Sequence, residues 1–322
     1  VKIRLSARHY PVIATLAVFL LLYVTASQRY DGFFSLAVFI NFFSDNAFLG
    51  IAAVGMTFVI LSGGIDLSVG AVIGFTSIVI GVLIEKHHWN PYGAMAVALV
   101  TGTALGTAMG SLIRYFKLPP FLVTLAGMFF ARGMGFVVSV ESLSINSPVY
   151  ARLSDLKVAL GPVSLPLTAL TFLVIVAVGI LLAQYTRFGR NVYAIGGNLE
   201  AANLMGLPVG PTIVRIYAFS GFCSALAGIV YSIYSSSGNP TAGTGLELDA
   251  IAATVIGGTL LSGGVGYVAG TLLGVLILGI IQTAITFEGT LSSWWTKIAI
   301  GFLLFVFVLL QRLMARSSAK AA

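Results

Sequence analysis

Long apolar stretches with almost no charge inside them recur along the whole chain, and this recurrence restricts the fold more than any motif does. They fall at about 11–26, 47–61, 67–84, 92–113, 121–140, 165–183, 216–235, 250–261, 267–285 and 294–310. A helix needs about 20 apolar residues to cross the hydrocarbon core of a bilayer, so runs of this kind read as membrane spans. The second and eighth are short and end in glycine pairs, which predicts broken or tilted helices there. A water-soluble domain carries roughly a quarter of its residues as charges. Here 58% are hydrophobic and only 8% charged, with a mean hydropathy of +1.02. The expectation is an all-α integral membrane protein forming one domain, 1–322, with about ten transmembrane helices.

Loops rich in Lys and Arg are retained on the cytoplasmic side. With the N-terminus inside, Lys2, Arg4, Arg8, Arg114, Lys117, Arg187, Arg190, Arg215, Arg312, Arg316 and Lys320 fall inside, against Arg29, Lys86, Arg152, Lys157 and Lys297 outside. Cytoplasmic N- and C-termini follow from an even number of spans. Trp89, Trp294 and Trp295 lie at the expected outer boundaries, where indole rings favour the headgroup zone. The net charge of +7 is thus a matter of topology. There is no basic run, and no nucleic-acid partner is expected. Lys2, Arg4 and Arg8 ahead of the apolar run 12–22 resemble a signal peptide, but an uncleaved first helix is the preferred reading. Cys223, within an apolar stretch, reads as a small buried residue.

The string LSGGIDLSVGAVIG from Leu61 is echoed by LSGGVGYVAGTLLG from Leu261, each joining one run to the next. The echo suggests an internal repeat, a common feature of transporters, with chance among glycine-rich membrane sequences as the rival explanation. Gly102, Gly106 and Gly110 share one helix face at four-residue spacing, as do Gly266, Gly270 and Gly274, and such faces let helix backbones approach closely. LSGG also opens the LSGGQ signature of ABC ATPases. Both copies lack the glutamine, and no G-x-x-x-x-G-K-[ST] loop is present to cradle phosphates. No cofactor is expected on this chain itself.

Catalysis finds little support. His9, His87 and His88 are terminal or in a loop, and neighbours in sequence point apart, so the adjacent pair reads as a solvated loop rather than a metal site. Carboxylates in mid-membrane mark proton relays, whereas all ten acidic residues fall at span ends or in loops. Sodium coupling through backbone carbonyls stays open. Arg132, halfway along the run 121–140, reads equally as a gate element or as a cation paired with a carboxylate such as Asp45 or Asp249. Asp249 is expected to cap the eighth span, with a docking role at the outer mouth as the alternative, and Asp66 to cap the third.

The most informative segment is 186–212, TRFGRNVYAIGGNLEAANLMGLPVGPT. Residues Asn198 to Met205 suit about two helical turns, stopped by Gly206 and Pro208 and preceded by a Gly196-Gly197 hinge. A short helix outside the membrane, fixed between two spans, can pass on force from a partner.

At this segment the sequence resembles the permease family of bacterial ABC sugar importers of the ribose, xylose and galactose type. The resemblance is carried by ILSGGIDLSVGAVIG from Ile60, TLAGMFFARG from Thr124, TRFGRNVYAIGGNLEAANLMGL from Thr186 and ELDAIAATVIGGTLLSGGVG from Glu247. It extends to the galactofuranose importer permeases through DNAFLGIAAVGMTFVILSGGIDLSVG from Asp45 and GTLLSSWWTKIAIG from Gly289.

What the resemblance implies is a type II-like ABC importer permease fold in the bacterial inner membrane. It further implies import of galactofuranose or a similar furanose or pentose, a second, different but related permease beside this one, ATPase subunits carrying ATP and Mg, and a periplasmic binding protein. The family's coupling helix maps onto Asn198, Leu199, Glu200, Ala201, Ala202, Asn203, Leu204, Met205 and Gly206. Candidates for the sugar path are Asn46, Phe58, Ser62, Phe129, Phe130 and Arg132, with Asp45, Glu247 and Asp249 at the periplasmic mouth. A self-contained sugar transporter driven by an ion gradient is the rival function.

Overall fold

The computed structural model describes residues 10–160, 163–292 and 294–320. In chain order the helices are α1 (Tyr10–Arg29), α2 (Leu36–Asp45), α3 (Ala47–Leu61), α4 (Val69–Glu85), α5 (Pro91–Tyr115), α6 (Pro120–Val138), α7 (Pro148–Asp155), α8 (Leu167–Tyr185), α9 (Arg187–Gly197), α10 (Leu199–Leu204), α11 (Val209–Ser235), α12 (Leu246–Ile256), α13 (Val268–Glu288) and α14 (Trp294–Lys320). Four short strands, β1 (Leu143–Ser144), β2 (Lys157–Leu160), β3 (Val163–Pro166) and β4 (Ser237–Gly238), form the antiparallel pairs β1–β4 and β2–β3 in the connections.

Every expected apolar run is helical, but the helices do not all have spanning length. Among the described residues seven are long and apolar enough to cross a membrane, or eight if the bent pair α2 and α3, at 56° to one another, is counted as one span. The shortness of the run 47–61 is explained by α2, which the sequence reading passed over; Ser35 caps it by accepting from Val38 N. Helix α4 has 17 residues and α12 only 11. The run 250–261 falls short because Gly257 ends the helix and Gly258 then turns into the left-handed region at φ +92°.

Helices α3, α4, α11, α12 and α13 make the centre of the molecule, with α3 buried along nearly its whole length. Exposed apolar side chains mark the periphery: Leu20 and Leu21 on α1, Phe129 and Val137 on α6, Phe302 and Phe305 on α14. Several polar groups in the core pair across helices. Thr57 and Thr271 share a hydrogen bond at 2.7 Å, and Thr15 Oγ1 donates to Ile256 O at 2.6 Å, tying α1 to the end of α12. Cys223 is fully buried.

The glycine faces behave as small-residue contacts should. A Cβ at Gly102 would stand 2.5 Å from Ala225 Cβ, and one at Gly110 would stand 3.0 Å from Val214 Cα, so α5 and α11 pack backbone to backbone. On α13, a Cβ at Gly274 would meet Gly257 N at 3.1 Å, which sets α13 against α12.

The LSGG echo is structural. After α3, Gly63 N donates to Ile60 O at 2.9 Å with φ +82° at Gly63; after α12, Gly263 N donates to Leu260 O at 3.0 Å with φ +83° at Gly263. Each string builds the same tight turn between two helices, and each turn needs its glycine because an L side chain at that φ is strained.

Candidate functional site

The two LSGG turns come from sequence positions 200 residues apart and meet. Gly264 N donates to Leu61 O at 2.9 Å. The C-terminal end of α9 lies across the same point. A Cβ at Gly263 would stand 2.8 Å from Gly63 N and 3.1 Å from Gly196 Cα, and one at Gly264 would stand 2.8 Å from Gly197 Cα. At Gly196 no Cβ fits, because it would overlap Leu61 O. Three glycine pairs therefore let three backbones cross in contact. Two side chains of α9 secure the crossing: Phe188 stacks on Phe58 with ring centroids 5.7 Å apart, and Tyr193 Oη donates to Gly266 O at 2.8 Å.

Directly after this crossing comes α10. Asn198 caps it by accepting from Ala201 N at 2.8 Å, a bond that satisfies one of the free N–H groups of the first turn. Gly206, at φ +73°, stops it: Gly206 N donates to Asn203 O and Leu207 N to Ala202 O. Ala202 is fully buried in a small cluster with Ile195 of α9 and Val209 of α11. On its other side the helix presents Leu199, Leu204 and Met205, with Leu204 88% exposed. The expected two turns at 198–205 are thus present, with the correction that 187–197 is helix as well, so the connection from α8 to α11 is built almost entirely of short helices.

Next to the crossing, Asp66 is buried in the first turn. Its Oδ1 accepts from Ser68 N at 2.9 Å and Ser68 Oγ at 2.6 Å, and its Oδ2 from Ser220 Oγ of α11 at 2.7 Å. Burial pushes this carboxyl above the ordinary aspartate value against the pull of those donors. A cavity of about 900 Å³ opens beside α10, with Ser62, Arg114, Lys117, Glu200, Asn203 and Tyr217 among its lining residues. Tyr217 Oη and Glu247 Oε2 are buried with no hydrogen-bond partner among the described residues.

At the other end of α3, about 22 Å away at 1.5 Å per residue, a second cavity of about 610 Å³ is framed by the α2–α3 bend and the ends of α12, α13 and α14. It brings together three of the expected residues, Asp45, Asn46 and Asp249, with Gln282, Trp294 and Lys297. Asp249 does not cap α12, whose N-cap is Gly245. Lys297 Nζ instead donates to both Asp249 oxygens, at 2.8 and 2.5 Å. Tyr234 Oη donates to Asp45 at 3.3 Å, and Asn46 Nδ2 to Phe42 O at 3.0 Å.

The other path candidates do not converge there. Phe58 is core, packed against Phe188 and Phe219. Ser62 lines the cavity beside α10, while Phe129 and Phe130 are exposed on α6. Arg132 pairs with neither Asp45 nor Asp249; it donates to Pro240 O at 2.7 Å and Ala242 O at 2.8 Å, holding the loop before α12, with the Glu247 carboxylate close enough to act on it. Lys297 is a site residue that the sequence reading did not single out; a lone lysine two positions after the Trp294-Trp295 pair is the signal for it.

Polar groups gathered at both ends of a bundle of apolar helices suit a protein of the membrane-transport class. The chain belongs to the family described as the permease component of branched-chain amino acid transport systems, which matches residues 38–309. It is 55% identical over 306 residues, 95% of this chain and 92% of the relative, to the inner membrane ABC transporter permease protein YjfF of Escherichia coli. It is 38% identical to the fructose import permease protein FruG of Bifidobacterium longum, over 96% of this chain and 92% of that protein. The ribose import permease protein RbsC of Haemophilus influenzae is 37% identical over 90% of each chain. No solved structure matches. The chain is a multi-pass inner-membrane transport subunit of an ABC system.

Proposed function

We propose that this chain is the permease subunit of an ATP-driven importer of a monosaccharide, moved through α10 by an ATPase partner that binds ATP and Mg. The observation that carries this reading is α10 itself. A six-residue helix capped at both ends, rooted by one buried alanine and turning Leu199, Leu204 and Met205 outward, has the build of a knob for another protein to hold. Apolar side chains so exposed outside the spans gain free energy when a partner covers them.

Sugar is the cargo class favoured by the named relatives, of which one imports fructose and another ribose by their names. Both sugars form five-membered rings, in keeping with a furanose such as galactofuranose. The cavity at Asp45, Asn46, Asp249, Gln282 and Trp294 suits such a cargo, since it sets hydrogen-bonding groups beside an indole face. It would receive sugar from a periplasmic binding protein. A second, related permease would complete the pathway, and its counterpart face is offered by exposed apolar helices such as α6. In the same reading α4 and α12 join the eight longer segments to make ten, with both termini cytoplasmic.

The test is Ala202→Pro, which removes the Ala202 N to Asn198 O bond and breaks α10. Assembled transporter with this change should stay folded in the membrane and lose sugar-stimulated ATP hydrolysis. Normal hydrolysis and uptake would refute the coupling assignment.

A further inference from the structure

We infer that the glycine crossing makes α9, α10 and the second LSGG turn one rigid lever, so that a push on α10 reaches α12 and α13 through backbone contact. The inference rests on the proposed coupling role of α10 and adds to it the route by which the motion leaves that helix.

Three observations carry it. The atoms in contact at the crossing are backbone atoms of Gly63, Gly196, Gly197, Gly263 and Gly264, and Gly196 has no space for a Cβ. Side chains can absorb a push by changing rotamer, but packed backbone has low compressibility and transmits displacement. The second turn is bonded to α9 by Tyr193 Oη to Gly266 O and to the end of α3 by Gly264 N to Leu61 O, with no carboxylate of its own to anchor it. The first turn is anchored elsewhere, by Asp66 to Ser220 of α11. A displacement of α10 and α9 therefore carries the second turn and pivots on the first. Since the second turn leads from α12 into α13, and the starts of α12 and α14 and the end of α13 frame the outer cavity, the lever joins the proposed docking helix to the proposed sugar chamber.

The experiment is pulsed electron–electron distance measurement in the assembled transporter, with ATP and vanadate as the trigger. Asn203→Cys and Leu261→Cys are both at exposed positions outside the Leu199, Leu204 and Met205 knob, and buried Cys223 leaves little background labelling. An Asn203→Cys, Tyr92→Cys pair reports movement of α10 against the far end of α5. On trapping, the reference pair should shift by about 2 Å or more, the scale of switching helix motions, while the 203–261 distance stays constant. In Gly196→Ala, the 203–261 distance should shift as well, since the added methyl parts α9 from the crossing.

A 203–261 distance that changes as much as the reference pair overturns the inference, as does a Gly196→Ala transporter in which it stays fixed. A reference pair that does not move sinks the coupling reading and the lever together, whereas the other two outcomes leave that reading standing. If Gly196→Ala does not assemble, Tyr193→Phe replaces it. Loss of its bond to Gly266 should broaden the 203–261 distribution, and an unchanged distribution overturns the inference.

Discussion

The two LSGG turns share the bend at their first glycine and differ in what holds them. After α3 the turn is followed by Asp66, whose carboxylate takes two hydrogen bonds from Ser68 and one from Ser220, and its Leu61 is fully buried. After α12 the acid is absent, Leu261 is 41% exposed, and the turn leans on Tyr193 of α9. A repeated turn has thus become a fixed member and a carried member. The same local sequence serves both because glycine sets the backbone path, while the next few residues set the attachment.

The largest test of this contrast is Asp66→Ala. It leaves Ser220 Oγ and the Ser68 amide without their acceptor in a buried site, which costs about 3 kcal/mol. Thermal unfolding in detergent micelles should show a clear drop in Tm, and an unchanged Tm would mean that the first turn is not anchored by its carboxylate.

Next is the pair Gly63→Ala and Gly263→Ala. Both force a side chain into the left-handed region, about 1 kcal/mol each. Only the second also drives a Cβ to 2.8 Å from Gly63 N, whereas at Gly63 the nearest atom is Ser262 O at 3.7 Å. Gly263→Ala should therefore be worse by about 1–2 kcal/mol in the same melts, and equal losses would erase the asymmetry.

Tyr217→Phe is smaller and of opposite sign. The Tyr217 hydroxyl occupies the space that a side chain at Gly64 would need, at 2.5 Å, and has no partner among the described residues. Removing a buried unpaired hydroxyl should leave stability unchanged or raise it by about 0.5–1 kcal/mol.

Least of all, Lys297→Met at the cavity framed by the α2–α3 bend should alter stability by under about 1 kcal/mol, because the Asp249–Lys297 pair is partly open to solvent. A larger loss would place part of the fold's anchorage at that end instead of at the turns.

Much of this was legible in the sequence where the controlling interactions are local. Apolar runs mark every long helix, Asn198 and Gly206 mark the ends of α10, and the LSGG echo marks the matching turns. Distant partners left no such trace. Arg132 bonds to the carbonyls of Pro240 and Ala242, more than 100 residues away and chemically the same as any others. Asp249 has the sequence setting of a helix cap, yet Lys297, 48 residues on, takes its carboxylate. Phe58 and Phe129 look alike in sequence, and only the place of their helices, α3 at the centre and α6 at the periphery, sends one to the core and the other to the surface. The Gly196-Gly197 pair reads as a hinge in the sequence, yet α9 runs through to Gly197; Gly196 is needed there because a side chain at that position would overlap Leu61 O, whereas Gly197 faces open space.

The glycine crossing also orders the birth of the protein. Its strands of chain come from around residues 61, 196 and 263, and synthesis proceeds from the N-terminus. The long apolar helices between α3 and α11 can be threaded into the bilayer while the crossing is still open, but it cannot close until the ribosome has passed Gly264. Until then the apolar knob at α10 hangs from a hinge whose third side is missing. Closure of this one point thus separates a nascent chain from a subunit ready to receive its partners.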